Sequence, residues 1–331
     1  MRFALSPEQL DFGTSLRKLL DAGQVPAATR AWADGDPAAG RALIRQLANS
    51  GVLGLAVAED NGGVGAEPID LVVAFQEIGR AGMPGPLVET AAAIPALLQA
   101  LPDSEPAQRW LPGLAEGTAL GTVAFAGSDP LALDADVADV VLVVDGDQLR
   151  QAEPGTLVRS VDPARRLFAV EPGAVVAEGV ADATAVAFDT GALAGAAQQL
   201  GAGRALLHQA TEYAKQRKQF GKPIGEFQAV KQKLADVLIA LDLAEPLLFR
   251  AALTMGEATR SRDVSAAAIA CGDAAYGAAR AALQVHGAIG YTAEYDLSLW
   301  LTKVRALRSA WGTPDLHRGR IARALRAEAS Q

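Results

Sequence analysis

From the first residues to about residue 117, apolar positions return every three or four residues, the period of an amphipathic helix. Ser6, Pro7 and Gln9 supply an N-cap, a first-position proline and a capping-box partner, and Leu10, Leu16, Leu19 and Leu20 follow at helical spacing. Asp36-Pro37 opens a second helix with Leu43, Ile44 and Leu47 inward and Gly51 just past its end. Residues 68–80 and 86–101 repeat the pattern, and a shorter helix is predicted over 106–116. The period then changes from 3.6 to 2. Runs over 122–125, 139–144, 157–161, 167–170 and 185–188 predict short strands, with Asp145-Gly146-Asp147 and Glu171-Pro172-Gly173 as turns, hence a compact antiparallel β-domain. From Gly191 the helical period resumes. One helix carries Leu193, Leu200, Leu206, Leu207 and Tyr213, and a second carries Phe227, Val230, Leu234, Leu238 and Leu241, with Pro246 as a kink. A third, Ala-rich helix is predicted over 264–285 and a fourth over 292–309, together a four-helix bundle. Thr313-Pro314 caps and starts a last helix. The fold class that follows is α+β, mainly α, in three domains: helical over 1–117, a small β-domain over 118–189 and the bundle over 190–331.

Composition narrows the function. Half of the 331 residues are apolar but only 5% are aromatic, so the core is built from Ala, Leu and Val, which suits closely packed helices better than base-stacking platforms. A net charge of −8 argues against a nucleic-acid binder and against a basic membrane-surface helix, although a local basic site can still hold an anionic cofactor. Cys271 is the single cysteine, which excludes an internal disulfide framework, and His208, His286 and His317 lack zinc-ligand spacing, so no metal is expected. The chain reaches Ser6-Pro7 too soon for a signal-peptide apolar region, and no apolar run approaches the roughly 18 residues of a membrane span; a cytoplasmic location is the expectation.

Two segments stand out. Arg217-Lys218-Gln219-Phe220-Gly221-Lys222-Pro223-Ile224 and Gln284-Val285-His286-Gly287-Ala288-Ile289-Gly290-Tyr291 each close a long Ala/Leu-rich helix with basic or polar residues followed by glycine. A dinucleotide pyrophosphate needs such surroundings: a guanidinium for bidentate contact, amide side chains, and glycines that let backbone N–H groups approach. The plainer alternative is two ordinary helix ends, with Gly221 and Gly287 as caps and Arg217 and Lys218 offsetting the macrodipole.

Together the two segments resemble the C-terminal signature of the acyl-CoA dehydrogenase family, flavoproteins that oxidise acyl-CoA thioesters to 2-enoyl-CoA. Gly51-Val52-Leu53-Gly54-Leu55 through Glu59-Asp60-Asn61-Gly62-Gly63-Val64-Gly65 is similar to the family's N-terminal run, and Phe75-Gln76-Glu77-Ile78-Gly79-Arg80 to a helix end within it. Ala126-Gly127-Ser128-Asp129 resembles the end of its middle-domain motif. The resemblance implies one FAD shared between two subunits, with Arg217, Gln219, Phe220, Gln284, Gly287 and Gly290 contacting the pyrophosphate and adenosine across the interface. It also implies an acyl-CoA substrate, an electron-transfer acceptor, and a homo-oligomer or a heteromer with a full-length acyl-CoA dehydrogenase subunit. Gln228 has an alternative place as a polar residue in the bundle core.

The departures matter as much. The β-domain is short and lacks a counterpart to the family's Trp-Ile-Thr strand beside the flavin. The catalytic glutamate of the family stands at one of two positions, and these are Trp311 and Gly191 here; an arginine that steadies the thioester in some members falls on Ala192. The usual base is missing. Trp311 either fills the volume of base and acyl chain or belongs to the core. Among substitutes, Asp189 is the one weak catalytic candidate, with a helix-start cap as its plainer reading. Asp315 fits a first-turn acid, Glu245 and Asp242 a solvated helix face, Glu294 a cap, and His286 either a cofactor contact or a packed loop residue. Three functions follow: a stand-alone FAD-dependent dehydrogenase with an unusual base, the base-lacking subunit of a heteromer (as occurs in this family for bulky steroid side-chain thioesters), or a structural bundle without flavin.

Overall fold

The computed structural model describes residues 4–127 and 130–329, so Ser128 and Asp129 of the middle-domain motif lie outside the described residues. The N-terminal layer is α1 (Pro7–Ala22), α2 (Val25–Ala33), α3 (Ala38–Asn49), α4 (Pro68–Ala81), α5 (Ile94–Gln99) and α6 (Glu105–Ala115). The capping box at the start of α1 forms as the sequence predicts: Gln9 N–H donates to Ser6 Oγ (3.2 Å) and Ser6 N–H to Gln9 Oε1 (3.0 Å). Two details differ. α2 was not anticipated, because its nine residues are too few to set a period. Leu10 is 55% exposed, since the buried stripe of α1 runs through Gly13, Leu16 and Leu20 and position 10 falls off it. Residues 86–101 hold a π-helical turn (Glu89–Ala93) ahead of α5 rather than one uniform helix.

The middle sheet has five strands in the order β1-β3-β4-β5-β2: β1 (Gly121–Phe125), β2 (Leu131–Leu133), β3 (Val140–Asp145), β4 (Gln148–Val158) and β5 (Leu167–Glu178). It is mixed rather than antiparallel, because β1 lies parallel to β3 with Gly121 opposite Val140. Glu171-Pro172-Gly173 is not a turn but part of β5. Proline is accommodated there because the β4–β5 ladder slips in register beside Ala152, which faces Pro172. Residues 185–188 are not a strand either; alanines at 181, 183, 185 and 187 favour helix, and α7 (Ala181–Gln216) begins ten residues before Gly191.

α7, 36 residues long, is the axis of the C-terminal layer. A two-stranded hairpin, β6 (Lys218–Gln219) and β7 (Lys222–Pro223), follows, then α8 (Gln228–Leu253), α9 (Arg260–His286), α10 (Leu297–Ala310) and α11 (Pro314–Ala329). α8 continues through Pro246. Gln228, at its first turn, is exposed and not in the bundle core. The N-terminal and C-terminal layers touch backbone to backbone: a Cβ at Gly79 would sit 1.9 Å from the Gln198 carbonyl oxygen, and one at Gly201 1.9 Å from that of Gln76. Only glycine permits this approach of α4 to α7. Buried polar pairs tie the sheet to both helical layers, Trp32 Nε1 donating to Asp134 (3.1 Å) and Lys303 pairing with Asp162 (3.4 Å). Among the described residues no helix is long and apolar enough to cross a membrane.

Candidate functional site

The residues singled out by sequence gather at the two ends of α7. At the first end, the chain leaves α10 through Trp311 and reverses at Gly312, whose φ of +100° suits glycine. The reversal delivers the Trp311 indole onto a recess formed by Gly191 and Gly195, one turn apart on α7. A Cβ at Gly191 would fall 2.4, 2.5 and 2.7 Å from ring atoms Cζ3, Cε3 and Cη2, and one at Gly195 3.3 Å from Cδ1. Phe125 meets the indole edge-on with centroids 5.8 Å apart, and Phe188 does so at 6.3 Å. Positions 191 and 311 are therefore neighbours in space. The indole occupies the volume beside Gly191, and it is 7% exposed.

Asp189 is no helix-start cap. It is buried within α7, one oxygen accepting from Arg260 Nε (2.9 Å) and the other from Arg320. With both oxygens engaged by guanidiniums, the carboxylate is a structural ion, not a free base. A polar chain runs on from it: Arg320 donates to Ser265 Oγ (3.2 Å), Ser265 meets His317 Nδ1 (3.2 Å), and His317 Nε2 meets the Trp311 carbonyl (2.9 Å). Because a carbonyl only accepts, Nε2 carries the proton and Nδ1 accepts from the serine. Burial holds the His317 pKa below its ordinary value, with the Trp311 carbonyl acting the other way. This network was not legible in the sequence. Asp315 is 92% exposed and bound to Arg318 (3.0 Å), and Glu245 pairs with Arg204 (2.8 Å) with Asp242 further off (3.9 Å). Glu294 is exposed.

The other end of α7 brings the two glycine-rich segments together. Tyr213, one turn before the helix ends, stacks on His286 with centroids 4.3 Å apart. His286 closes α9, so Arg217 and Gln284 come from adjoining helix ends. Its Nδ1 lies 2.8 Å from the Ala282 carbonyl, and burial lowers its pKa; it is a packed residue, not an open contact. After Arg217 the β6–β7 hairpin turns on Phe220 (φ +52°) and Gly221 (φ +83°). A positive φ at each central residue is what a two-residue hairpin turn demands, and for a bulky aromatic it is strained. Phe220 is 92% exposed, its ring edge-on to Phe227 with centroids 6.2 Å apart. Gln219 and Gln284 are exposed as well, and Arg217 has no side-chain hydrogen bond or ion pair among the described residues. Gly287 (φ +67°) has nothing within 4 Å of where a side chain would be, leaving its backbone open. Gly290 differs: it is buried, and a Cβ there would lie 3.2 Å from His286, Leu283 and Leu297, so it shapes the turn.

A third feature was not anticipated. A cavity of about 750 Å³ lies between the sheet and α9, α10 and α11, bordered by Val123, Leu133, Arg165, Leu167, Tyr276 and Trp311.

Residues 6–118 match the family described as acyl-CoA dehydrogenase, N-terminal domain, and residues 177–326 the acyl-CoA dehydrogenase, C-terminal domain. The chain is 34% identical over 281 residues to acyl-CoA dehydrogenase IpdE2 of Mycolicibacterium smegmatis, covering 84% of this chain and 85% of that relative. Its fold is similar to a chain of the ChsE4-ChsE5 complex from Mycobacterium tuberculosis (TM-score 0.84, 23% identity, 100% of both chains). It is similar also to butyryl-CoA dehydrogenase from Megasphaera elsdenii (TM-score 0.83, 23% identity, 98% of this chain and 100% of that one).

Proposed function

The chain belongs to the acyl-CoA dehydrogenase family of FAD-dependent oxidoreductases, and we propose that it works there as the base-lacking subunit of a heteromeric enzyme. One observation carries this reading: both glutamate positions of the family are spent, Gly191 on making a recess and Trp311 on filling it. When bound, FAD supplies the hydride acceptor for oxidation of the acyl-CoA Cα–Cβ bond. Removal of the Cα proton needs a carboxylate at the reacting carbon, and general-base assistance is worth about 10²–10⁴ in rate. Neither family position supplies one here, and the candidate Asp189 is bound to two arginines. The base therefore comes from a full-length partner.

The residues present do fit the pyrophosphate and adenosine half of the cofactor. Arg217 presents an uncommitted guanidinium, Gln219 and Gln284 present amides, Phe220 an exposed ring, and Gly287 an open backbone beside them, with Gly290 fixing the turn. We assign these six residues to a flavin shared with the neighbouring subunit. α8 supports an oligomer, since Leu238, Ile239, Leu243 and Leu247 are 49%, 55%, 69% and 41% exposed on a helix whose opposite face is already buried. The ChsE4-ChsE5 complex, one chain of which has this fold, offers a precedent for such a chain within a complex. The electron acceptor and the cytoplasm belong to the same reading. A stand-alone enzyme is disfavoured by the commitment of Asp189, and a flavin-free bundle by the strained, exposed hairpin.

The test is flavin content and acyl-CoA-dependent flavin reduction, for the purified chain alone and co-purified with a full-length homologue. Little or no reduction is expected from the chain alone. The complex should turn over and should lose turnover when the partner's glutamate becomes Gln. Robust reduction by this chain alone would sink the proposal.

A further inference from the structure

Trp311 closes the recess at Gly191 and Gly195 from a position of little backbone constraint. It caps the C-terminus of α10 (φ −121°, ψ 50°) and is followed by Gly312 (φ +100°). A helix leaves its last carbonyls without intrahelical partners. The Trp311 carbonyl lies at such an end, and His317 Nε2 meets it at 2.9 Å. Gly312 serves that approach as well as the reversal, since a Cβ there would fall 2.9 Å from His317 Nε2 and 3.1 Å from the Phe188 ring.

A buried histidine that satisfies one helix-end carbonyl is the plainer reading, and the second ring nitrogen argues for more. Nδ1 accepts from Ser265 Oγ of α9 (3.2 Å). Ser265 in turn accepts from Arg320 (3.2 Å), whose guanidinium holds Asp189 of α7 and lies 4.9 Å from the centroid of the Phe188 ring. The imidazole is therefore fixed at both nitrogens. Through Ser265 and Arg320 it refers the Trp311 backbone to α7, the helix that carries the recess.

We propose that His317 is a positioning residue that seats the Trp311 indole in the Gly191 recess, and that a second proton on its ring unseats the indole. The neutral ring donates from Nε2 and accepts at Nδ1, whereas the imidazolium donates from both. Ser265 must then accept from Arg320 and from the imidazolium at once, which places two cations on one hydroxyl oxygen. Arg320, on the same helix, opposes the second proton. Asp189 of α7 favours it but is already shared by Arg320 and Arg260 of α9. Arg308 of α10 and Asp273 of α9 border a small gap beside the ring and are paired with each other. Burial adds to the opposition, so the change falls below the ordinary histidine value of 6.5. The device belongs to the recess end of α7 and depends neither on flavin nor on a partner's glutamate.

The full chain holds four tryptophans, so labelling with 5-fluorotryptophan gives four fluorine NMR signals, and the one missing from Trp311→Phe belongs to Trp311. That assignment matters because Trp32, bonded to Asp134, has a pH response of its own. On acidification from about pH 8 to about pH 5, the Trp311 signal should move toward the position of solvated fluorotryptophan while far-UV circular dichroism stays native. In His317→Gln, whose amide N–H can replace Nε2–H on the carbonyl but does not titrate, the signal should start at the wild-type position and remain there. In His317→Leu it should be displaced already at about pH 8. Should His317→Leu fail to fold, the wild type and His317→Gln carry the test. A Trp311 signal that ignores pH in the wild type, that titrates or starts displaced in His317→Gln, or that keeps its wild-type position in His317→Leu would each overturn the proposal.

Discussion

Gly191→Ala asks whether the Trp311 indole is a fixed wall. In an unobstructed helix interior this substitution stabilises by roughly 1 kcal/mol. Here the new methyl carbon would land 2.4–2.7 Å from three ring atoms, whereas carbon–carbon contacts settle at about 3.5–4.0 Å. The ring would have to retreat by about 1 Å. Phe125 and Phe188 stand against it at 5.8 and 6.3 Å between centroids, and its carbonyl is held by His317 at 2.9 Å. Overpacking of that kind costs about 1–3 kcal/mol, which leaves Gly191→Ala about 0–2 kcal/mol destabilising after the propensity gain. With Trp311→Ala, itself about 3–5 kcal/mol destabilising as a large-to-small core change, the obstruction disappears and the same Gly191→Ala should stabilise. The coupling between the two substitutions is thus expected at about 1–3 kcal/mol. Urea unfolding of the four proteins followed by far-UV circular dichroism measures it. Additivity within about 0.5 kcal/mol would refute the reasoning, because the recess would then not be filled by that ring.

Arg217→Ala should weaken FAD retention in the assembled enzyme roughly ten- to hundredfold, the worth of a charge-assisted hydrogen bond; unchanged flavin occupancy on dialysis would make Arg217 a helix cap only. Asp189→Asn leaves Arg260 and Arg320 without their shared carboxylate and should cost about 3–5 kcal/mol, read as a fall in melting temperature, and a neutral outcome would return Asp189 to the list of free carboxylates. His317 has a native pKa below its ordinary 6.5, so the native state binds fewer protons than the unfolded chain; stability from this group is full above about pH 6.5 and falls as the pH drops through the window beneath it. Asp134 has the opposite sign: pushed up from 3.8 to about 7, it costs stability as the pH rises through that interval. Asp134→Asn, which keeps an acceptor for Trp32, should therefore raise the melting temperature at pH 8 and do little at pH 4, and equal effects at both would discount burial as the cause.

Local signals carried most of the fold. The Ser6–Gln9 box, the prolines that open α4 and α11, and the Ala-rich periodicity of α7 and α9 each depend on neighbours a few residues away, and a sequence displays those. The errors arose where partners are distant. Nothing near Pro172 announces that the facing strand slips to admit it. Nothing near Asp189 points to Arg260 and Arg320, 71 and 131 residues further on. Resemblance identified Gly191 and Trp311 one at a time, as missing glutamates; only the fold makes them a single contact, one residue vacating space and the other entering it. Phe220 was marked as a candidate by motif, but its left-handed backbone and near-complete exposure are properties of the hairpin that neither composition nor period encodes.

α7 runs unbroken from the Gly191 recess to Arg217, about 40 Å at 1.5 Å per residue. Its middle is seated on α4 so closely that glycine is required on both helices. A helix clamped at its centre isolates its two ends from one another. Substitutions at the recess leave the pitch and reach of the hairpin at the other end untouched. The recess and the hairpin are thus two separable traits on one rod, and each can be altered without shifting the register of the other.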